Sequence, residues 1–180
     1  EMTDGQCVSV GELHVATDLR FNDPFSIFDR ADDLNVVREF LLSMKSKEIT
    51  PELVFIERPR NLFRSMRNQN EFRDSLCELG FTAIRPELMS LGEQVSLFAN
   101  ARIVVAESGA AMTNALLMQS GSTLVEISPE YNNHVWVRLA NQFNIKHYMI
   151  SCEKEKMVSR FASRDSYTIN LPKTLGEIEK

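Results

Sequence analysis

The sequence predicts a doubly wound α/β domain built on one mainly parallel sheet, and three observations predict it. Strand-like and helix-like stretches alternate five times over about a hundred residues beginning at Pro51. The strand candidates are short and mostly apolar, like the β-branched run Arg102–Ala106, as strands covered on both faces must be. The chain has 180 residues, 43% of them hydrophobic, enough for the core of one ordinary domain and too little for two.

In chain order, Cys7–Val10 and Leu13–Ala16 read as short strands, and Asn22-Asp23-Pro24 marks a turn. Asp32 and Asp33 can cap a helix over Leu34–Lys45, in which Leu34, Val37, Phe40, Leu41 and Met44 share one face. Leu53–Glu57 is the first strand of the regular part. Asn68, with Glu71 three residues on, opens a helix that ends at Gly80. Phe81–Arg85 is the next strand, and Ser90 with Glu93 is a second capping box, starting a helix that runs into Ala101. Arg102–Ala106 leads through Glu107-Ser108-Gly109 into a helix Ala110–Met118, with Gly121 placed for a left-handed cap. Thr123–Ile127 is a strand, Val135–Phe143 a helix and His147–Ile150 the last strand. The remainder is charged from Glu153 and extended at Tyr167–Leu171. This divides the chain into a leading segment 1–50, the remnant of an interdomain region, a Rossmann-like domain 51–152, and a tail 153–180 that packs back on it.

Composition excludes several functions. A net charge of -5 argues against a broad nucleic-acid face. No apolar run approaches the roughly 20 residues that span a bilayer. Three widely spaced cysteines, Cys7, Cys77 and Cys152, form no CxxC pair and imply neither a disulfide framework nor a zinc site.

The chemistry concentrates where strands end. Ala101–Pro129 delivers a strand straight into a glycine-containing helix start at Ser108, Gly109, Ala110 and Ala111, where free N–H groups and a partial positive charge suit phosphate. Arg58, Arg60, Arg64 and Arg67 follow the first strand. They are either a solvated basic loop or partners of a diphosphate held at the Gly109 turn. Glu126, inside an apolar strand, either accepts hydrogen bonds from a ribose or pairs with one of those arginines. Glu107 either contacts substrate or caps the following helix. His14, His134 and His147 show no ligand spacing; His134 opens a helix near the ligand edge and keeps a candidate role. Together these readings predict that Ser108–Ala111, Asn114, Glu126 and at least one of Arg58, Arg64 and Arg67 line one pocket.

Three blocks in register carry a resemblance. VFIERPRNLFRSMRNQNEF, GFTAIRPELMSLGEQVSLFANA and ESGAAMTNALLMQSGSTLVEISP resemble, in order, the motifs of glycosyltransferase family sixty-one, which includes capsular polysaccharide biosynthesis proteins, plant xylan arabinosyl- and xylosyltransferases and secretory-pathway O-GlcNAc transferases. The match spans about Pro51–Ile150 and, weakly, the leading segment. Arg58, Arg67, Asn70 and Glu71 fall on matching positions, whereas Ser108 stands where many members have histidine and Ala111 where many have glycine.

The resemblance implies an inverting, metal-independent enzyme of glycan or polysaccharide biosynthesis with the two-Rossmann-domain GT-B architecture. This chain would be its C-terminal, donor-binding half, the N-terminal acceptor domain being absent from it. The implied partners are a nucleotide-sugar donor and a glycan or other hydroxyl acceptor, with no cofactor and no nucleic acid. The location would be cytoplasmic for a bacterial-type member and the secretory lumen for a eukaryotic one. The donor residues would be Arg58, Arg64, Arg67, Ser108, Gly109, Ala110, Ala111, Thr113, Asn114 and Glu126, with Glu107 and His134 the candidates for the base. Two other readings stay open: a non-catalytic, degenerate transferase module, and a serine hydrolase in which Ser108 sits on a nucleophile elbow.

Overall fold

A computed structural model describes residues 31–59, 65–129, 135–152 and 166–178. Five strands form one sheet: β1 (Leu53–Ile56), β2 (Thr82–Ile84), β3 (Ile103–Glu107), β4 (Thr123–Pro129) and β5 (Lys146–Cys152). Their order is β2-β1-β3-β4-β5, and every neighbouring pair is parallel. Parallel neighbours need crossovers. These are supplied by α2 (Gln69–Glu78), α3 (Leu91–Asn100), a 3-10 helix (Ala110–Leu117) and α4 (Val135–Gln142), with α1 (Ala31–Leu42) and α5 (Leu171–Ile178) added at the ends.

Alternation along the strands sorts the core into two layers. Val54, Val104, Ala106 and Leu124 face one side, under α1, α3, α4 and the 3-10 helix, with Phe98, Met112, Trp136 and Leu139. Phe55, Val105, Val125 and Ile127 face the other, with Phe72 and Leu76 of α2, Tyr167, and Leu171 and Leu175 of α5. Helices on both faces make the fold Rossmann-like and doubly wound. The helix at the front of the chain is part of this body. Arg38 of α1 donates to Leu116 O (2.8 Å) and Met118 O (3.0 Å), satisfying carbonyls at the end of the 3-10 helix, and its guanidinium lies 5.3 Å from the Phe143 ring centre.

The five strands expected from Leu53 onward are present within a residue or two of their bounds. The Ser90–Glu93 capping box forms in both directions, and its bonds hold the exposed Glu93 carboxyl below its ordinary pKa. Gly121 has φ +86°, the left-handed conformation predicted for it. Three expectations differ. The segment after Gly109 is a 3-10 helix, because Met112 N bonds Gly109 O three residues back. Asn68 does not cap α2 with its side chain. That side chain instead brackets Ile169, donating to its carbonyl (2.9 Å) and accepting from its amide (3.1 Å). The tail is extended only to Asn170. Leu171–Ile178, with Pro172 tolerated in the first turn, is helical and lays Leu171, Leu175 and Ile178 on the second layer. The strands expected at Cys7–Val10 and Leu13–Ala16 lie outside the described residues. Among the described residues no helix is long and apolar enough to cross a membrane.

The Asn68 bracket ties two segments 101 residues apart, alongside a parallel bridge between Met66 and Tyr167. Asn68→Ala removes both bonds, and at about 0.5–1.5 kcal/mol each the loss of stability is expected to be about 1–3 kcal/mol. Urea unfolding measures it. Hydrogen exchange at the Ile169 amide should accelerate, and unchanged exchange there would contradict the bracket.

Candidate functional site

In a sheet of order 2-1-3-4-5 the connections leave β1 and β3 in opposite directions, so a crevice opens outside the carboxyl ends of those two strands. The chain places a guanidinium at one lip and a glycine turn at the other. Arg58, two residues past β1, donates through Nη1 to Ser108 O at 2.9 Å, crossing from the β1 side to the β3 side. Gly109 makes that approach possible. A Cβ on Gly109 would lie 2.6 Å from Arg58 Nη1, so the absent side chain, not an unusual backbone angle, is what the position needs. Beyond it, the amides of Gly109, Ala110 and Ala111 precede the first hydrogen bond of the 3-10 helix and stand outside its ladder.

A cleft of about 560 Å³ opens at this edge, lined by Glu57, Arg58, Gln69, Asn70, Arg73 and Arg85. Arg73 lies 3.5 Å from Glu57 and 2.8 Å from Asp74, which raises its pKa further, and Arg85 pairs with Glu87 at 2.9 Å. Both arginines went unnoticed in the sequence, although Arg85 ends a strand just as the Arg58 loop does. A larger cleft, about 960 Å³, lies at the amino ends of the strands between Lys45–Thr50 and Gly121–Ser122. Helices present their carbonyl ends there, with partial negative charge, so this edge is the less suited to an anion.

Under the crevice lies a buried carboxylate. Glu107, 4% exposed, accepts from Gln69 Nε2 (2.6 Å), Tyr167 Oη (2.9 Å) and the Met66 amide (3.3 Å). It neither caps the 3-10 helix nor faces the cleft. Burial pushes its pKa up, while the bonds from Tyr167, Gln69 and Met66 and the nearby Arg58 charge oppose the rise. Burial and the same carboxylate push the Tyr167 phenol well up. Gln69 also donates to Arg58 O (2.8 Å), so one amide group joins the carboxylate to the backbone that carries the arginine. Cys152, buried nearby, has its thiol pushed up to about 12 by that burial and by Glu107, and is inert.

The predicted single pocket is only partly assembled. Arg58, Ser108 and Gly109 meet at the crevice; Ala110 and Thr113 are exposed beside it and Ala111 is half-buried. Asn114 turns toward α3, donating to Gln94 Oε1 at 3.3 Å. Glu126 pairs with a histidine rather than with one of the arginines expected for it. It points into the first layer, 1% exposed, with His147 Nε2 3.1 Å from its Oε2, and lies on the opposite face of the sheet from Glu107. Arg67 is exposed, and its amide donates to Tyr167 O. Arg60, Arg64 and His134 lie outside the described residues. Among the described residues no group of three histidine, cysteine or carboxylate side chains is placed to hold a metal ion.

Among the described residues the Ser108 elbow has no histidine in reach, and His134, the other candidate partner, lies outside them. Ser108 Oγ is buried without a hydrogen-bond partner. His147 stands opposite Leu124, four residues before the position on β4 that faces Ser108, roughly 13 Å away by strand rise, and is already bonded to Glu126.

Fold and crevice together define a Rossmann-like α/β domain whose ligand edge is furnished for an anion. The comparison with known families agrees with that class and narrows it: the model for Glycosyltransferase 61 matches residues 3–125. The chain belongs to glycosyltransferase family 61, and no curated relative matches it. The family match takes in the leading segment that the sequence had set apart from the domain.

The raised Glu107 carboxyl sets a pH dependence. An unfolded glutamate titrates near about 4.3, so between there and the raised folded value the folded state holds the extra proton. The stability contributed by this group is full below about pH 4 and is lost as pH rises through the folded value. Urea unfolding from about pH 4 to about pH 8 should therefore show the advantage of the native chain over Glu107→Gln shrinking as pH rises. A difference independent of pH would contradict the shift.

Proposed function

We propose that this chain binds the diphosphate of a nucleotide sugar in the β1–β3 crevice and serves as the donor-binding part of an inverting glycosyltransferase in glycan or polysaccharide synthesis. The observation that carries the reading is Arg58 held against a glycine turn at the switch point, next to backbone amides outside any helical ladder. Inversion is a single displacement. The acceptor hydroxyl loses its proton to a base and attacks the anomeric carbon while the diphosphate leaves from the opposite face. Negative charge grows on the leaving group, and a fixed guanidinium with oriented N–H groups stabilises that growth more than it stabilises the bound donor.

Family membership supports a transferase, and the position of Arg58 supports phosphate recognition on this edge. The three donors that hold Glu107 in the core favour a supporting role for it over that of the base. In this proposal the base and the acceptor site belong to a second domain of GT-B type, facing the crevice. The non-catalytic reading predicts a crevice that binds no donor at all, and binding measurements separate the two.

Arg58→Ala removes charge-assisted hydrogen bonds worth about 1.5–3 kcal/mol, so nucleoside diphosphate affinity should fall roughly ten- to hundredfold by calorimetry while the fold survives. Arg58→Lys should recover part of it, since a point charge cannot replace the planar fork. Gly109→Ala should act in the same direction without touching the arginine, because its Cβ displaces the guanidinium tip. Full affinity in a folded Arg58→Ala variant would return the loop to an ordinary solvated surface.

A further inference from the structure

Resting on the donor-binding reading, we propose that Ser108, Ser128 and Trp136 form a hydroxyl-recognising pocket for a sugar ring of the bound nucleotide sugar. The register places the two serines together. Glu107 pairs with Ile127, and Ser108 N donates to Ile127 O at 2.9 Å, so Ser108 stands opposite Ser128 at the carboxyl ends of β3 and β4. Alternation sends both side chains to the face of Ala106, Leu124 and Glu126, under α4. Trp136, second residue of α4, is buried in that same layer.

All three polar groups lack a partner. Ser108 Oγ, Ser128 Oγ and Trp136 Nε1 are each buried without a hydrogen bond, in residues only 4%, 0% and 8% exposed. Buried polar groups are nearly always satisfied, and two orphaned serines side by side at the ligand end of adjacent strands, with a third orphan at the start of the helix packed on the same layer, call for a common explanation. The chemistry they share narrows the ligand. A serine hydroxyl both donates and accepts, and an indole N–H only donates. A ring bearing vicinal hydroxyls satisfies such a set; a phosphate would leave the hydroxyls' acceptor capacity unused. The ring is either the ribose or the transferred sugar, and both continue directly from a diphosphate seated beside Gly109.

Trp136 is the chain's one tryptophan, so its emission reports on this pocket alone. Three measurements on the full chain test the proposal: tryptophan fluorescence, calorimetry and thermal melting. The probes are UDP, GDP and the sugar nucleotides made from them, excited beyond nucleotide absorption. Binding should shift or quench Trp136 emission. Ser128→Ala should weaken binding about three- to tenfold, and Trp136→Phe similarly by calorimetry. Ser128→Ala should melt no lower than the parent, because an unpartnered hydroxyl contributes no bond to the free protein, whereas Trp136→Phe also gives up core packing and is read by affinity alone. A loss already visible with the bare diphosphates assigns the pocket to ribose; a loss confined to the sugar nucleotides assigns it to the transferred sugar.

Unchanged affinity in Ser128→Ala, or calorimetric binding with silent Trp136 emission, overturns the proposal. So does a lower melting temperature in Ser128→Ala, since the hydroxyl would then have a structural partner such as a resident water. In each of those cases an affinity that still depends on Arg58 leaves the donor-binding reading standing. If the parent chain binds none of the probes, both fall.

Discussion

The crevice depends on one buried carboxylate. Glu107 ends the central strand β3 and draws three donors from three separate parts of the chain: the Met66 amide from the loop after β1, Gln69 from the first turn of α2, and Tyr167 from beyond β5. A carboxylate cut off from water is tolerated only when its lone pairs are occupied, so its burial compels these segments to converge. The loop that carries Arg58 is thereby fixed through Gln69, without any contact between Glu107 and a ligand. An anion-binding guanidinium needs such support, because the gain from a preorganised donor is lost if the donor must first be ordered.

The two faces of the sheet divide the labour. The α2 and α5 face carries the Glu107 network and holds the arginine loop from behind. The α3 and α4 face carries Ser108, Glu126 and Ser128, polar groups spaced along the carboxyl halves of two strands otherwise filled with apolar side chains. Glu126 on that face bonds His147 and so ties β4 to the edge strand β5. Strand alternation alone separates Glu107 from Glu126, two carboxylates that lie on neighbouring strands yet never meet.

Local signals in the sequence located the elements. The β-branched runs, the Ser90–Glu93 box and Gly121 each act through neighbours a few residues away, and each behaves as its local chemistry dictates. The failures arise where a residue answers to a distant partner. Asn68 has the right spacing to cap α2, but Ile169 competes for the same amide group and wins. Glu126 was open to pairing with an arginine because no local signal places His147 of β5 within reach of it on β4. The Leu171-Pro172 start disguised α5 as extended chain, since proline is compatible with both. Of the site, the Arg58 loop and the Gly109 turn were legible as strand-end chemistry; the contact between them required the strand order.

The bracket between the Arg58 loop and the Tyr167 segment has a consequence for biosynthesis. Sheet and helices up to β5 can form as the chain emerges, but the third donor to Glu107 lies 60 positions beyond that residue and the clamp on Asn68 lies 101 positions beyond Asn68. Until Tyr167 leaves the ribosome, a nascent chain has its central carboxylate incompletely satisfied and the backbone at Asn68 unclamped. The domain therefore acquires its fold before it acquires its crevice. A fragment ended at residue 125, where the family match stops, would lose not only β5 and the end of β4 but the Tyr167 donor to Glu107.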